Sequence, residues 1–210
     1  FRGMKVGRIL FGSVLSGGLI GIGATAYIAA PDIVSGALFF TVGLFAICFF
    51  GLDLFTGRSG YLITRPGRLF YAAELLLIWA GNFAGAAAYS AALRFAKPNL
   101  AQKMAELWSG KLTQHPFAVF LLGVGCGLLI YIAVDNYRNS GSDVGKAVGI
   151  LLCVPAFILC GFEHCIADMV YMTAAGRFDI LFILIVTCGN MAGSFLIPLY
   201  SLVKAKAQGS

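Results

Sequence analysis

The sequence predicts an all-α polytopic membrane protein built as two inverted three-helix repeats, with the middle helix of each repeat broken. Three observations carry that prediction. The 210 residues are 60% hydrophobic and 11% charged, with a mean hydropathy of +0.89, a composition suited to lipid. Apolar runs of about 20 residues recur, each long enough to cross a hydrocarbon core of about 30 Å. The two halves also carry matching interruptions at nearly the same offset.

Taken in order, the runs give six spans at roughly 9–30, 34–63, 69–95, 116–137, 144–174 and 178–203. The first is dense in Gly12, Ser13, Ser16, Gly17, Gly18, Gly21 and Gly23, and the fourth in Gly123, Gly125 and Gly127. Small residues of this kind let helix backbones approach closely in lipid. The second and fifth runs are too long for one crossing. Each is interrupted near its middle, by Gly51-Leu52-Asp53 and by Gly161-Phe162-Glu163. The third and sixth spans answer one another through Gly81-Asn82-Phe83-Ala84-Gly85 and Gly189-Asn190-Met191-Ala192-Gly193. Three spans per half is an odd number, so the second copy enters the membrane from the opposite side. The reading is one membrane domain over residues 1–210, with repeat one at about 1–97 and repeat two at about 111–204.

Ten of the fifteen Lys and Arg residues, among them Arg8, Arg58, Arg65, Arg68, Arg138 and Lys146, fall on the side that also holds both termini. The excess predicts a multi-pass protein of the cytoplasmic (inner) membrane with both termini cytoplasmic. Phe1 is not an initiator, and no signal-peptide pattern precedes the first span. Gly209 and Ser210 read as a tag remnant. The net charge of +6 is scattered over loops without an aromatic platform, which argues against nucleic acid. Cys48, Cys126, Cys153, Cys160, Cys165 and Cys188 sit inside apolar runs as small buried hydrophobes. No metal spacing or disulfide framework is present, and no cofactor is expected.

Backbone that leaves helical geometry at membrane depth survives only where protein or a wet cavity satisfies it. The two breaks therefore mark a polar path. Inverted symmetry brings Asp53-Leu54-Phe55-Thr56-Gly57 and Glu163-His164-Cys165 together near the midplane, so that a hydroxyl faces an imidazole. Asp53, Glu163, His164 and Asp168 need partners at that depth. For Asp53 and Glu163 the exposed amides of the broken helices are the expected partners. His164 stands out because imidazole is the one group here that changes protonation near neutral pH. His115, before Pro116 at a helix start, reads as an exposed loop residue.

The run Gly161-Phe162-Glu163-His164-Cys165-Ile166-Ala167, together with Leu54-Phe55-Thr56-Gly57, resembles the formate/nitrite transporter family over essentially all six spans. The resemblance implies an aquaporin-like six-helix fold assembled as a homopentamer in membrane lipid, each protomer carrying a pore for small anions such as formate, nitrite or hydrosulfide. It implies Thr56 as the loop hydroxyl, His164 as the central histidine and Lys111 as a vestibule lysine ahead of span four. It also implies Leu54 and Phe55 in the first broken segment, Phe157 on the outer constriction, and Phe40 and Leu44 on the inner one. The chain departs from the family pattern in having Gly127 and Asp168 where Asn is usual, and Asp53 where Glu is usual.

On this reading Lys111 concentrates the anion, the constrictions strip its water, and His164 with Thr56 donates hydrogen bonds or a proton. Two other readings compete with it. A neutral-solute channel of aquaporin type also uses half-helices, but its paired Asn-Pro-Ala signature is absent. An intramembrane enzyme could use Glu163 and His164 as a general base, with Cys165 as the only candidate thiol beside them.

Overall fold

The structure, a computed structural model, describes residues 2–208. Phe1, Gly209 and Ser210, and with them the expectations about the two chain ends, lie outside the described residues. The helices are α1 (Arg2–Ala29), α2 (Ile33–Phe49), α3 (Phe55–Arg58, continued by a 3-10 turn Ser59–Ile63), α4 (Arg68–Ala96), α5 (Pro98–Lys111), α6 (Pro116–Asn139), α7 (Asp143–Leu159), α8 (Cys165–Ala175) and α9 (Ile180–Gln208).

Among the described residues α1, α4, α6 and α9 are each long and apolar enough to cross a membrane. The remaining two crossings are composite, α2 with α3 and α7 with α8, at the two interruptions the sequence shows. Phe11, Phe39, Leu76, Leu152 and Leu181 point outward, while Ser13, Ser16, Asn82, Ser90, Asn190 and Ser194 are buried. A water-soluble domain could not present that apolar surface, but lipid solvates it.

The segment between α4 and α6 differs from expectation. Residues 98–111 form a helix, α5, where a plain loop was expected. Pro98 sits at its first turn, and Ala101, Met104 and Trp108 share a buried face against α8. Trp108 Nε1 donates to the Arg177 carbonyl at 2.8 Å, which fastens the helix over the bundle. The i, i+3, i+7 spacing is the signal of an amphipathic helix, too polar for a span but able to lie on one. Between α1 and α2, the amide and hydroxyl of Ser35 hold the Asp32 carboxyl below the usual carboxylate range, and Asp32 caps α2.

The inverted repeat is visible in atomic contacts. Gly17 on α1 packs against the Asn82 carbonyl of α4, and Gly127 on α6 packs against the Asn190 carbonyl of α9. Gly85 lies against the Val14 carbonyl, and Gly193 against the Val124 carbonyl. No side chain fits at any of the four positions. The Asn that the resemblance places at position 127 therefore has no room here. Gly193→Leu is expected to destabilise the protein by at least about 1–3 kcal/mol, the usual cost of forcing packed backbones apart. Gly18→Leu, into open space, serves as the control, with thermal unfolding in detergent as the measurement.

The cysteines divide. Cys126 and Cys165 are buried as expected, but Cys160 and Cys188 are exposed on the outer surface, and all six are free. A thiol is apolar enough to face lipid as readily as a core.

Candidate pore

Both broken helices end in the same way. At the end of α2 the Leu52 N–H donates to the Ile47 carbonyl at 2.9 Å, with Gly51 at φ 64°. At the end of α7 the Phe162 N–H donates to the Phe157 carbonyl at 2.9 Å, with Gly161 at φ 67°. This is a Schellman closure, which needs a left-handed residue and so favours glycine. The chain then runs extended through Leu54 and through His164 before α3 and α8 begin.

The orphaned backbone of each break is claimed by an asparagine. Asn82 Oδ1 accepts the Phe55 N–H at 2.9 Å, and its Nδ2 donates to the carbonyls of Asp53 at 2.9 Å and Ser13 at 2.8 Å. Asn190 Oδ1 accepts the Cys165 N–H at 3.0 Å, and its Nδ2 donates to the carbonyls of Glu163 and Gly123, both at 2.8 Å. The carboxylates were the expected partners of these amides. The structure corrects this, because an amide side chain supplies donor and acceptor together, whereas an ionised carboxylate only accepts. Asp53 and Glu163 pair with cations instead: Asp53 with Arg58, and Glu163 with Lys111. Arg58 also reaches Glu74 at 3.4 Å.

Thr56 and His164 meet. Thr56 Oγ1 lies 2.9 Å from His164 Nε2, and both residues are buried. His164 is also the N-cap of α8, where its Nδ1 accepts the Ala167 N–H at 3.2 Å. A ring nitrogen that accepts carries no proton, so the proton of the neutral imidazole is on Nε2 and is donated to Thr56. The hydroxyl proton of Thr56 is then left to point elsewhere. The Phe157 ring stacks on His164 with centroids 5.9 Å apart.

A cavity opens on each side of this contact. The larger, about 500 Å³, is lined by Lys111, Glu163, His164, Asp168, Phe157 and Phe40 among others. The smaller, about 30 Å³, is lined by Leu54, Gly57, Arg58 and Arg138 among others. The Thr56–His164 bond therefore ties the wall of one cavity to the segment that lines the other.

The apolar residues distribute differently from the sequence expectation. Phe40, expected on the opposite constriction from Phe157, meets it edge-on with centroids 5.8 Å apart and lines the same larger cavity. Leu44, one turn further along α2, is buried and lines neither cavity. The Phe55 side chain lines an apolar crevice with Trp79, Leu75 and Met191, away from both mouths. Leu54 lines the smaller mouth. Lys111 ends α5, and its ammonium is shared between Glu163 and Asp168, the latter at 3.1 Å. It is thus no free cation awaiting an anion. His115 is exposed as expected, its Nδ1 capping α6 at the Phe117 N–H.

The sequence model of the formate/nitrite transporter family matches residues 2–203. The chain belongs to that family. Among the relatives of this formate/nitrite transporter family member, a probable formate transporter of Methanothermobacter thermautotrophicus is 28% identical over 216 residues, covering 88% of this chain and 78% of the relative. The formate channel FocA of Haemophilus influenzae is 28% identical over 148 residues, covering 64% of this chain and 51% of the relative. The chain thus spans about half the length of that channel. A solved pentameric formate channel with formate bound superposes with a TM-score of 0.83 at 22% identity, covering 98% of this chain and 100% of that one. A second solved structure, described as an ion channel of the same family, superposes with a TM-score of 0.79 at 21% identity, covering 94% of this chain and 89% of that one. The fold of this family member is therefore that of a multi-pass membrane channel protein. Its relatives are named as channels and transporters, and the enzyme alternative built on Glu163, His164 and Cys165 is set aside.

Proposed function

We propose that each protomer is a pore for the small monovalent anions of weak acids, namely formate, nitrite or hydrosulfide, within a homopentamer of the inner membrane whose termini are both cytoplasmic. The observation that carries this reading is the 2.9 Å contact between Thr56 and His164, made where two broken helices meet between two cavities. The larger cavity is the vestibule, and the Phe40–Phe157 pair is the constriction that strips water from an entering anion. Beyond it the pore offers the Thr56 hydroxyl as a donor and the N-terminal end of α8, whose dipole favours negative charge. His164 orients Thr56, because its Nδ1 is engaged by Ala167 and its Nε2 proton by Thr56. A proton arriving with the anion from bulk water converts it to a small neutral acid that crosses apolar walls far more readily.

The test is electrophysiology and proteoliposome flux on the purified protein, comparing formate, nitrite, hydrosulfide, lactate and chloride across pH. Formate, nitrite and hydrosulfide are expected to pass and chloride to be excluded. Osmotic water flow without anion flux would instead favour the neutral-solute channel. His164→Asn is expected to keep the pH dependence of flux while lowering its rate. If the variant lost its pH dependence, His164 would be the proton donor.

A further inference from the structure

The charged cluster lining the larger cavity holds one titratable group that the scheme above does not use. Asp168, in the first turn of α8, is fully buried and lines the larger cavity. Its carboxylate stands 3.1 Å from Lys111 Nζ, and no other described group donates to it. Glu163 is better supplied, since Lys111 donates to Oε2 and Gln114 Nε2 donates to Oε1 at 3.0 Å. One ammonium therefore serves two carboxylates, and with both ionised the cluster is net negative.

Nothing facing Asp168 offsets that charge. Lys111 is the one cation among the described residues lining the cavity. The other titratable groups there are Glu106 from α5, Tyr27 from α1, Glu163 and His164 from the second break, and Tyr171, whose ring lies 5.7 Å from Lys111 Nζ. From α4, Ser90 bonds to the Val170 carbonyl, and Arg94 sits far along α8 beside Gly176. From α6 and α9 come Cys126, buried, and the Thr187 hydroxyl. An anion bound for Thr56 must pass an acidic cluster that shares one lysine.

We propose that Asp168 makes anion entry depend on a proton: an anion reaches Thr56 and His164 when Asp168 is protonated, and is repelled when its carboxylate is charged. The proton arrives as hydronium from vestibule water, an O–H bond forms on the Asp168 carboxylate, and a neutral water molecule is released. Asp168, the member with no donor besides the shared Lys111, is the site that gains most from becoming a donor itself. An asparagine at this position would leave the Lys111–Glu163 ion pair without a second carboxylate beside it. The inference rests on the pore reading above and assigns the gate of that pore.

The experiment is formate uptake into proteoliposomes by the wild-type protein and by Asp168→Asn, expressed as the ratio of variant to wild-type rates across pH. Protonation of formate in bulk water is common to both and cancels in the ratio. The ratio is expected to be about one at about pH 5 and to rise about tenfold by about pH 8, the order expected for removing one like charge a few ångströms from an anion in a partly buried site. Asp168→Glu is expected to track the wild type. If Asp168→Asn does not assemble, Asp168→Ala, also neutral, is measured in the same ratio. A ratio that stays flat with pH overturns the proposal and leaves the pore standing. Absence of wild-type flux for formate, nitrite and hydrosulfide at every pH removes the pore reading and this proposal with it.

Discussion

Asn190→Leu is expected to prevent recovery of folded protein from detergent extracts. The side chain is nearly isosteric, so the change is chemical rather than steric. Leucine takes away the acceptor of the Cys165 N–H and the donor to the carbonyls of Glu163 and Gly123. Leaving a buried polar group unsatisfied costs about 1–3 kcal/mol. The Cys165 N–H and the Glu163 carbonyl are two such losses at one break, a sizeable share of the total stability of a typical domain, about 5–15 kcal/mol. Asn190→Asp keeps an acceptor for the Cys165 amide but loses both donated bonds, so an intermediate loss is expected. The readout is the monodisperse peak in size-exclusion chromatography and its thermal midpoint. A leucine variant that melts with the wild type would show that Asn190 does not hold the second break. By the inverted repeat, Asn82→Leu should fail in the same way at the first break.

Thr56→Val should behave in the opposite manner, keeping the fold and losing the flux. Valine fills the same volume but removes both the acceptor of the His164 Nε2 proton and the hydroxyl donor offered to the anion. Loss of one such bond to a charged or developing-charge partner, about 1.5–3 kcal/mol, corresponds to at least about a tenfold fall in rate at about 1.4 kcal/mol per decade. Thr56→Ser should restore most of the rate. Formate uptake beside a melting curve that still shows one cooperative transition, lowered by no more than the loss of one buried hydrogen bond, is the measurement. Uptake by the valine variant at the wild-type rate would place the conducting path away from this contact.

Much of the architecture is legible before any coordinates. The apolar runs, Gly51 and Gly161, and the paired Gly-Asn motifs of α4 and α9 each announce a local or periodic fact. A left-handed glycine ends a helix through bonds no more than five residues long, so the two breaks can be read from short stretches. The candidate site was legible in part. Thr56 and His164 follow from the same breaks, because symmetry alone brings them toward one another. The closing partners do not follow. Asn82 and Asn190 were visible as a repeat, but that they close the breaks depends on bonds to residues 27 and 25 positions away in the chain.

The side of the pore a residue faces is likewise hidden. Phe40 and Leu44 lie one turn apart on an α2 that is apolar throughout, so no polar stripe marks which of them meets Phe157. α5 escaped notice because its fourteen residues are too polar for a span, although Pro98 and the Ala101, Met104, Trp108 spacing would have revealed it. That helix places Lys111 between Glu163 and Asp168, and so converts an expected anion trap into a shared counter-ion.

By itself the sequence determined that this chain lives in lipid, how many times it crosses, where two crossings break and which two residues stand at the breaks. Those are properties of hydropathy and of turns, which act over a few residues. Only the tertiary structure decided which polar group satisfies which, which cavity each aromatic ring lines, and how many carboxylates one lysine must neutralise. Such choices are made across distances of a few ångströms between segments up to about a hundred residues apart, where hydrogen-bond geometry and Coulomb energy vary steeply and chain order carries no information.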